Sequence, residues 1–159
     1  MRIDTEKLIN EYKDHVFAAA FGVCKNPDDA NDVVQETFIK YHLSNKQFDS
    51  KEHIRAWLIR VAINNAKDLI CSSWKRKNEP LDNYINILEF ETPQAKNLLE
   101  HIMALPQRYR IVIFLFYNED YKIKEIADIL KISENNVKVR LNRARKMLKK
   151  SLKEEWEND

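Results

Sequence analysis

The 159-residue sequence predicts an all-α protein made of two small helical domains joined by an acidic flexible linker. Apolar residues recur at helical spacing through most of the chain. Gly22 is the only glycine, which excludes a glycine-rich phosphate loop and disfavours a sheet with many tight turns. The segment 78–93 contains two prolines, four acidic residues and no basic residue, so we predict that it is the linker. Residues 1–77 and 94–153 are then the domains, and 154–159 form an acidic tail.

Composition excludes several classes of protein. No apolar run approaches the ~20 residues that a membrane span requires, and acidic and amide residues fill the N-terminal sequence MRIDTEKLINEYKD, unlike a signal peptide. We therefore expect a cytoplasmic protein that does not bind a membrane by itself. Cys24 and Cys71 are too isolated for a disulfide framework, and the four histidines lack metal-ligand spacing. We expect no metal, no cofactor and no catalytic residue, so the sequence does not indicate an enzyme.

Three helices are predicted in the first domain: over 4–24, from Pro27 onward, and over about 51–76. The second has Asn26 as a cap, Pro27 at its first position and two acidic residues in its first turn. The third carries apolar residues on two sides, which indicates a central position or a covering partner. From its spacing, the second helix is expected to bury Ala30, Val34, Thr37, Phe38 and Tyr41.

The second domain is predicted to open with two helices. One runs from Pro93 to about Met103, and the next has Pro106 at its first position. The apolar run IVIFLF at 111–116 fits a strand or a buried helix by pattern alone. Because the segments around it are predicted to be helical, we favour a helix.

A short helix followed closely by a basic one ends the second domain. The sequence KIKEIADIL at 122–130 has its own apolar stripe, and Ser133 is placed to cap the next helix. Seven of the thirteen residues at 138–150 are Lys or Arg. Two short helices joined by about three residues, the second one basic, are typical of a helix-turn-helix. The apolar residues of the basic helix recur at steps of four, three, four and four: Val137, Leu141, Ala144, Leu148 and Leu152.

Three interpretations of the basic helix compete. It is a solvated surface helix, a membrane-surface helix or a helix that reads DNA. Its apolar stripe has no Trp or Phe before Trp156 and is used for packing on the preceding helix, which counts against the membrane. The tight connection to that helix favours DNA, although Lys131 and Ile132 stand where a turn glycine is usual.

Three blocks of the sequence together identify a family. They are DDANDVVQETFIK, FDSKEHIRAWLIRVAINNAKD and LPQRYRIVIFLFYNEDYKIKEIADILKISENNVKVRLNRARKML. In order and spacing they resemble the signature blocks of bacterial RNA polymerase sigma factors of the sigma-70 family. The resemblance is to the extracytoplasmic-function (ECF) group, which keeps only the second and fourth sigma domains, and it covers nearly all of residues 5–152. It implies that 1–77 is sigma domain 2 and that 94–153 is sigma domain 4.

The resemblance implies a function and a set of partners. An alternative sigma factor binds core RNA polymerase, recognises the −35 and −10 promoter elements and directs transcription initiation, and the polymerase does the chemistry. The family also makes an anti-sigma factor an expected partner. Two other functions remain open: an ordinary helix-turn-helix regulator, and a sigma-like module that binds polymerase without promoter activity. The long acidic linker and the lack of a dimer stripe argue against the regulator.

A polymerase-binding surface is expected on the helix that begins at Pro27. Its outward residues form an acidic face with one exposed Ile, which from pattern alone is most simply a solvated face. The resemblance favours docking on a basic coiled coil of the largest polymerase subunits. The residues assigned to this contact are Asp32, Gln35, Glu36 and Ile39.

The loop KQFDSKE at 46–52 and the helix after it are assigned by resemblance to the single-stranded −10 element. A base taken out of the duplex needs an edge to hydrogen-bond and a surface on which to stack. The loop candidates are Phe48, Asp49 and Ser50, and core packing explains Phe48 equally well. On the helix, cations and amides suit a DNA backbone or bases. They are Arg55, Asn64 and Lys67.

The basic helix is expected to lie in the major groove at the −35 element. One set of its side chains is assigned to base edges: Lys138, Val139, Arg143 and Asn135. A second set is assigned to phosphates or to the flanks of the groove: Arg140, Arg145, Lys146 and Lys149.

Overall fold

The computed structural model describes residues 1–72 and 93–158. The chain divides into two compact units, Met1–Asn78 and Glu79–Asp159. Within the described ranges there are seven α-helices, one π-helical turn and no strand, which confirms the all-α prediction. No helix in these ranges is long and apolar enough to cross a membrane. The predicted linker, 78–93, lies outside the described residues except for Pro93.

The first unit is a bundle of three helices, each of which contacts the other two. They are α1 (Thr5–Cys24), α2 (Pro27–Leu43) and α3 (Lys51–Ser72). The connection between α1 and α2 is tight: Lys25 takes a left-handed conformation with φ 59°, and Oδ1 of Asn26 accepts a hydrogen bond from Asp29 N at 3.0 Å. Asn26 therefore caps α2, as predicted.

The core of the first unit lies between these helices, and α3 is its central element. Ile54, Leu58, Ile59 and Ile63 are all buried, so both apolar sides of α3 are used in packing. The end of the predicted third helix, residues 73–76, lies outside the described residues.

The buried residues of α2 differ from the predicted core at one position. Val33 is buried and Val34 is half-buried, whereas the sequence pattern favoured Val34. Because α2 packs against both α1 and α3, its buried arc is wider than a single stripe and is centred closer to Val33. The other predicted core residues of α2 are buried: Ala30, Thr37, Phe38 and Tyr41.

The second unit contains α4 (Pro93–Met103), α5 (Gln107–Ile113), a π-helical turn (Phe114–Asn118), α6 (Ile123–Leu130) and α7 (Glu134–Asn158). The run IVIFLF is therefore helical, as favoured, and passes from α5 into the π-helical turn. Helices α4, α5 and α6 all contact α7. Residues 154–158, assigned to an acidic tail, continue α7.

The end of α7 is joined to α4 by a histidine. Nδ1 of His101 lies 2.7 Å from the Ser151 hydroxyl, and Nε2 lies 2.5 Å from a carboxylate oxygen of Glu155. The hydrogen bond with His101 lowers the pKa of the Glu155 carboxyl. The last turns of α7 are thus part of the packed unit.

The predicted helix-turn-helix consists of α6, a three-residue turn and α7. The Ser133 hydroxyl accepts a hydrogen bond from Asn136 N at 3.0 Å, which caps α7 as predicted. Lys131, where a turn glycine is usual, has φ 58° and lies in the left-handed region. A non-glycine residue there costs on the order of 1 kcal/mol, so the turn is held by the packing around it.

Substitutions of Lys131 test this strain. Lys131→Gly should leave the melting temperature unchanged or raise it, because glycine adopts positive φ freely and its extra unfolded-state entropy offsets only part of the relief. Lys131→Val should lower the free energy of unfolding by about 1 kcal/mol or more, because a β-branched residue fits this conformation worst. Thermal melts show which of the two variants is more stable. Equal stability of the two would contradict a left-handed conformation at Lys131.

Candidate functional site

The outward surface of α2 carries all four residues predicted to contact polymerase. Asp32, Gln35, Glu36 and Ile39 are exposed, and 58% of Ile39 is accessible to solvent. Leu43, which sequence reasoning missed, follows Ile39 by one helical turn and is 75% exposed. Its position four residues after Ile39 was the available signal. These five residues, called the α2 face, combine two carboxylates with two exposed aliphatic side chains.

Phe48 lies in the core of the first unit and not on the surface of its loop. It is 2% exposed. Its ring centroid lies 5.9 Å from that of Tyr41, 5.6 Å from that of Trp57 and 5.1 Å from that of His53. Aromatic neighbours at these distances occupy the surfaces on which a base would stack. The structure therefore favours the core-packing alternative for Phe48 and disfavours stacking on DNA.

The other two loop candidates differ from each other in exposure. The Ser50 hydroxyl accepts a hydrogen bond from His53 N at 3.1 Å, which caps the start of α3. The side chain of Asp49 is fully exposed, while its backbone N donates to Nδ1 of His53 at 3.1 Å. Oδ2 of Asp49 also lies 3.8 Å from Nδ1 of His53, so Asp49 presents an exposed carboxylate beside the ring that its backbone N contacts.

Arg55 is separated from the other two helix candidates for −10 binding. It is half-buried with Nε inside the protein, on the side of α3 that faces Tyr12. Burial raises the pKa of the Tyr12 phenol, and the charge of Arg55 opposes that shift. Asn64 is exposed and lies two and a half helical turns away, on the opposite side of α3. Lys67, three residues after Asn64, is half-buried. We therefore leave Arg55 out of the DNA surface.

The outward surface of α7 carries the residues predicted to read the −35 element. Val137, Leu141 and Ala144 are buried against the rest of the unit. On the outward surface, Val139 and Arg140 are half-buried, and the remaining predicted residues are exposed: Asn135, Lys138, Arg143, Arg145, Lys146 and Lys149. These eight residues, together with Asn142, are called the α7 face.

Asn142 belongs to the centre of the α7 face, although it was not among the predicted contacts. It is exposed and follows Asn135 and Val139 at helical spacing, with Lys146 next along the same line. Its Oδ1 is 3.5 Å from Nη1 of Arg145. An amide at this position suits the donor and acceptor pair of an adenine edge.

Neighbouring side chains hold the arginines of the α7 face in place. Nε of Arg145 donates to the Tyr117 hydroxyl at 2.7 Å, and the guanidinium lies 5.3 Å from the Phe116 ring centroid. Nε of Arg140 donates to Oδ1 of Asn136 at 3.1 Å. The two guanidinium groups thus have partners within the unit before DNA binds, and such preorganisation lowers the entropy lost on binding.

Arg143 lies beside Tyr109 of α5. Hydrogen bonds from Arg108 and Arg143 lower the pKa of the Tyr109 phenol. The hydroxyl of Tyr109 lies 3.4 Å from Nη2 of Arg108, and the Arg108 guanidinium stacks 4.6 Å from the Tyr109 ring centroid. Tyr109 therefore lies beside two cations, Arg108 and Arg143, at the edge of the α7 face.

Comparison with known families identifies the kind of protein to which this chain belongs. The family model described as Sigma-70 region 2 matches residues 8–76, and the one described as Sigma-70, region 4 matches residues 95–148. RNA polymerase sigma factor SigV of Bacillus subtilis is 31% identical over 149 residues, which cover 92% of this chain and 90% of that protein. The chain belongs to the sigma-70 family.

Other relatives place this sigma factor in the ECF group. ECF RNA polymerase sigma factor SigW of Bacillus subtilis is 28% identical over 170 residues, covering 92% of this chain and 88% of that protein. The sigma factor RpoE of Bartonella quintana, solved with the anti-sigma factor NepR, has the same fold with a TM-score of 0.75 at 18% identity. The comparison covers 93% of this chain and 96% of that one. As an ECF sigma factor, the chain directs transcription initiation.

Proposed function

We propose that the two units of this sigma factor divide promoter recognition between them. Domain 1–77 binds core polymerase through the α2 face and captures the −10 strand, and domain 94–153 reads the −35 duplex through the α7 face. One observation carries this proposal: the two exposed faces have opposite chemistry. The α2 face joins carboxylates to aliphatic side chains, and the α7 face joins cations to amides.

The α2 face suits a basic coiled coil of the largest polymerase subunits. Asp32 and Glu36 lie one turn apart and complement lysine or arginine side chains. Ile39 and Leu43 continue the same line and give an apolar contact once water is excluded. An exposed aliphatic pair beside two acids is better explained by a docking partner than by solvation alone.

The loop at 44–50 and the exposed side of α3 suit the unstacked −10 strand. Asp49 offers a carboxylate to a base edge, and Lys46, Asn64 and Lys67 offer donors to phosphates or bases. Phe48 supports the loop from beneath, so the stacking surface for a flipped base has to come from another side chain. In this proposal, Phe48 therefore supports the loop and does not contact a base.

The α7 face suits the major groove of the −35 element. The line through Asn135, Val139, Asn142 and Lys146 faces the base edges, with the Val139 side chain placed for a thymine methyl group. Arg143 and Arg145 lie to either side, and the Tyr117 hydroxyl accepts a hydrogen bond from Nε of Arg145. Lys138 and Lys149 complete the contact by pairing with phosphates.

An anti-sigma factor is the second protein partner that we propose. RpoE of Bartonella quintana was solved with NepR, and CnrH, which has the same fold with a TM-score of 0.68 at 24% identity, with the cytosolic domain of CnrY. The exposed aliphatic residues of the α2 face give such an inhibitor a surface to cover in competition with polymerase. The sigma factor itself carries no catalytic step and works in the cytoplasm, where polymerase transcribes.

Reconstituted transcription tests the proposed function. The start sites of transcripts that appear when the protein is overproduced define its promoter, and core polymerase with and without the protein is then assayed on that template. Transcripts from the mapped start site only when the protein is present would support the proposal. Polymerase binding without transcription would identify a sigma-like module, and promoter binding without polymerase binding would identify an ordinary regulator.

A double substitution tests the α2 face. Gln35→Ala with Glu36→Lys should weaken binding to core polymerase about tenfold or more, because a cation then faces a basic partner. Affinity is measured by competition with the unchanged protein for a limited amount of core polymerase. The matched control is Asp14→Lys, which makes the same charge change at an exposed position of α1. Equal affinity of the two variants, with unchanged circular dichroism, would sink the docking assignment.

Two single substitutions separate the kinds of DNA contact on α7. Arg143→Ala should cost about 1–3 kcal/mol at the −35 element and little on a scrambled duplex, if it makes a bidentate base contact. Lys149→Ala should weaken binding to both duplexes about equally and reduce the salt dependence, as loss of a phosphate contact does. Holoenzyme binding to the two duplexes at several salt concentrations gives both quantities. The same loss for both variants on both duplexes would show that the reading surface is misassigned.

A further inference from the structure

The first three residues of the chain lie against the end of α2 and the loop after it. The Tyr41 hydroxyl accepts a hydrogen bond from Ile3 N at 2.9 Å and donates one to the Ile3 carbonyl at 2.8 Å. The carbonyl of Met1 accepts a hydrogen bond from Phe48 N at 3.1 Å. Because Tyr41 and Phe48 are both buried, this N-terminal segment is anchored in the core of the unit.

The Arg2 guanidinium joins the end of α2 to the loop. Nη2 donates to the Tyr41 carbonyl at 3.0 Å, and Nη1 donates to the Lys46 carbonyl at 3.1 Å. The guanidinium carbon also lies 4.5 Å from the centroid of the Tyr41 ring. A cation at a helix C-terminus is favoured by the helix dipole. The planar fork of arginine suits two carbonyls and an aromatic ring at once, which a lysine ammonium does not.

This contact sits at the middle of the loop. At its start, Ser44 N donates to the Tyr41 carbonyl at 3.1 Å, and at its end the Phe48 ring is packed in the core. The side chains at 45–47 are exposed, so burial does not order them. Lys46 N donates to the Ser44 hydroxyl at 3.0 Å, and the Met1 ammonium donates to Oε1 of Gln47 at 3.2 Å and to the Phe48 carbonyl at 2.8 Å. Arg2 adds the contact that ties the Lys46 carbonyl to the end of α2.

We propose that Arg2 is a positioning residue for recognition of the single-stranded −10 element. It holds the loop in one conformation before DNA arrives, so that less backbone freedom is lost when the strand binds. The inference rests on the proposed role of the loop in −10 capture and adds the residue that fixes the shape of the loop. Arg2 acts through the Lys46 carbonyl and does not touch the DNA.

A direct phosphate contact is the competing role for an exposed arginine near DNA. In that case the charge of Arg2 matters and its geometry does not, so Arg2→Lys would behave like the unchanged protein. Loss of the charge would also lower the salt dependence of binding. The positioning role predicts instead that Arg2→Lys is defective, because lysine keeps the charge but does not bridge the two carbonyls.

The experiment compares Arg2→Ala, Arg2→Lys and Asp49→Ala in the full chain with core polymerase. Two fork templates are used, one with the −10 sequence from start-site mapping and one with that sequence scrambled, well below the melting temperature of each variant. Both Arg2 variants should lower the ratio of the two affinities about tenfold, the size of one charge-assisted hydrogen bond. Binding to core polymerase and to closed −35 duplex should not change. Lys7→Ala, which removes an exposed cation from α1, is the matched control and should leave the ratio unchanged.

The outcomes distinguish this inference from the proposed function. A normal ratio for Arg2→Lys would overturn the positioning role in favour of a simple charge. A normal ratio for Arg2→Ala beside a reduced ratio for Asp49→Ala would overturn the inference and leave −10 capture by the loop intact. A normal ratio for both would overturn −10 capture by the loop and the inference with it. A lower melting temperature for Arg2→Ala with a normal ratio would assign Arg2 to stability alone and also overturn the inference.

Discussion

The structure depends on one constraint: each unit has a core large enough to cover one side of its outer helices and no more. Units of this size bury only about 60% of the surface that the unfolded chain exposes. The buried side of α2 packs against α1 and α3, and the apolar stripe of α7 packs against α4, α5 and α6. The α2 face and the α7 face are what remains exposed. Their opposite chemistry follows from which residues stand at the outward positions, and it suits the two different partners that we propose.

Order within these exposed faces is supplied by contacts from distant parts of the sequence. Tyr117, from the helical segment that begins with α5, accepts a hydrogen bond from Nε of Arg145. Arg2 likewise contacts the loop at 44–50, where its guanidinium donates hydrogen bonds to the Tyr41 and Lys46 carbonyls. In each case a planar cation meets a phenol or a carbonyl before any partner binds. Such preorganisation lowers the entropic cost of binding and favours selective contacts over general charge attraction.

Periodicity and capping made much of this predictable from the sequence. The bounds of α6, the Ser133 cap and the exposure of the α2 face follow from local spacing, which needs no knowledge of neighbouring helices. Burial within the loop does not follow from spacing, because a loop has no periodic pattern. The sequence therefore left base stacking and core packing equally open for Phe48. The half-buried position of Arg55 did not follow from spacing because a cation on the core side of a helix breaks the usual pattern. The Tyr117 contact to Arg145 joins residues far apart in sequence.

Covalent footprinting of the assembled complex tests the central claim that the two exposed faces are covered by different partners. Hydroxyl-radical oxidation reports on Leu43, and acetylation reports on Lys138 and Lys146, with exposed Lys13 as the reference. Core polymerase should protect Leu43 from oxidation, and addition of the mapped promoter should then protect both α7 lysines while Lys13 reacts as before. Oxidation of Leu43 at the rate of the free protein, or unchanged acetylation of the α7 lysines with promoter bound, would contradict the account.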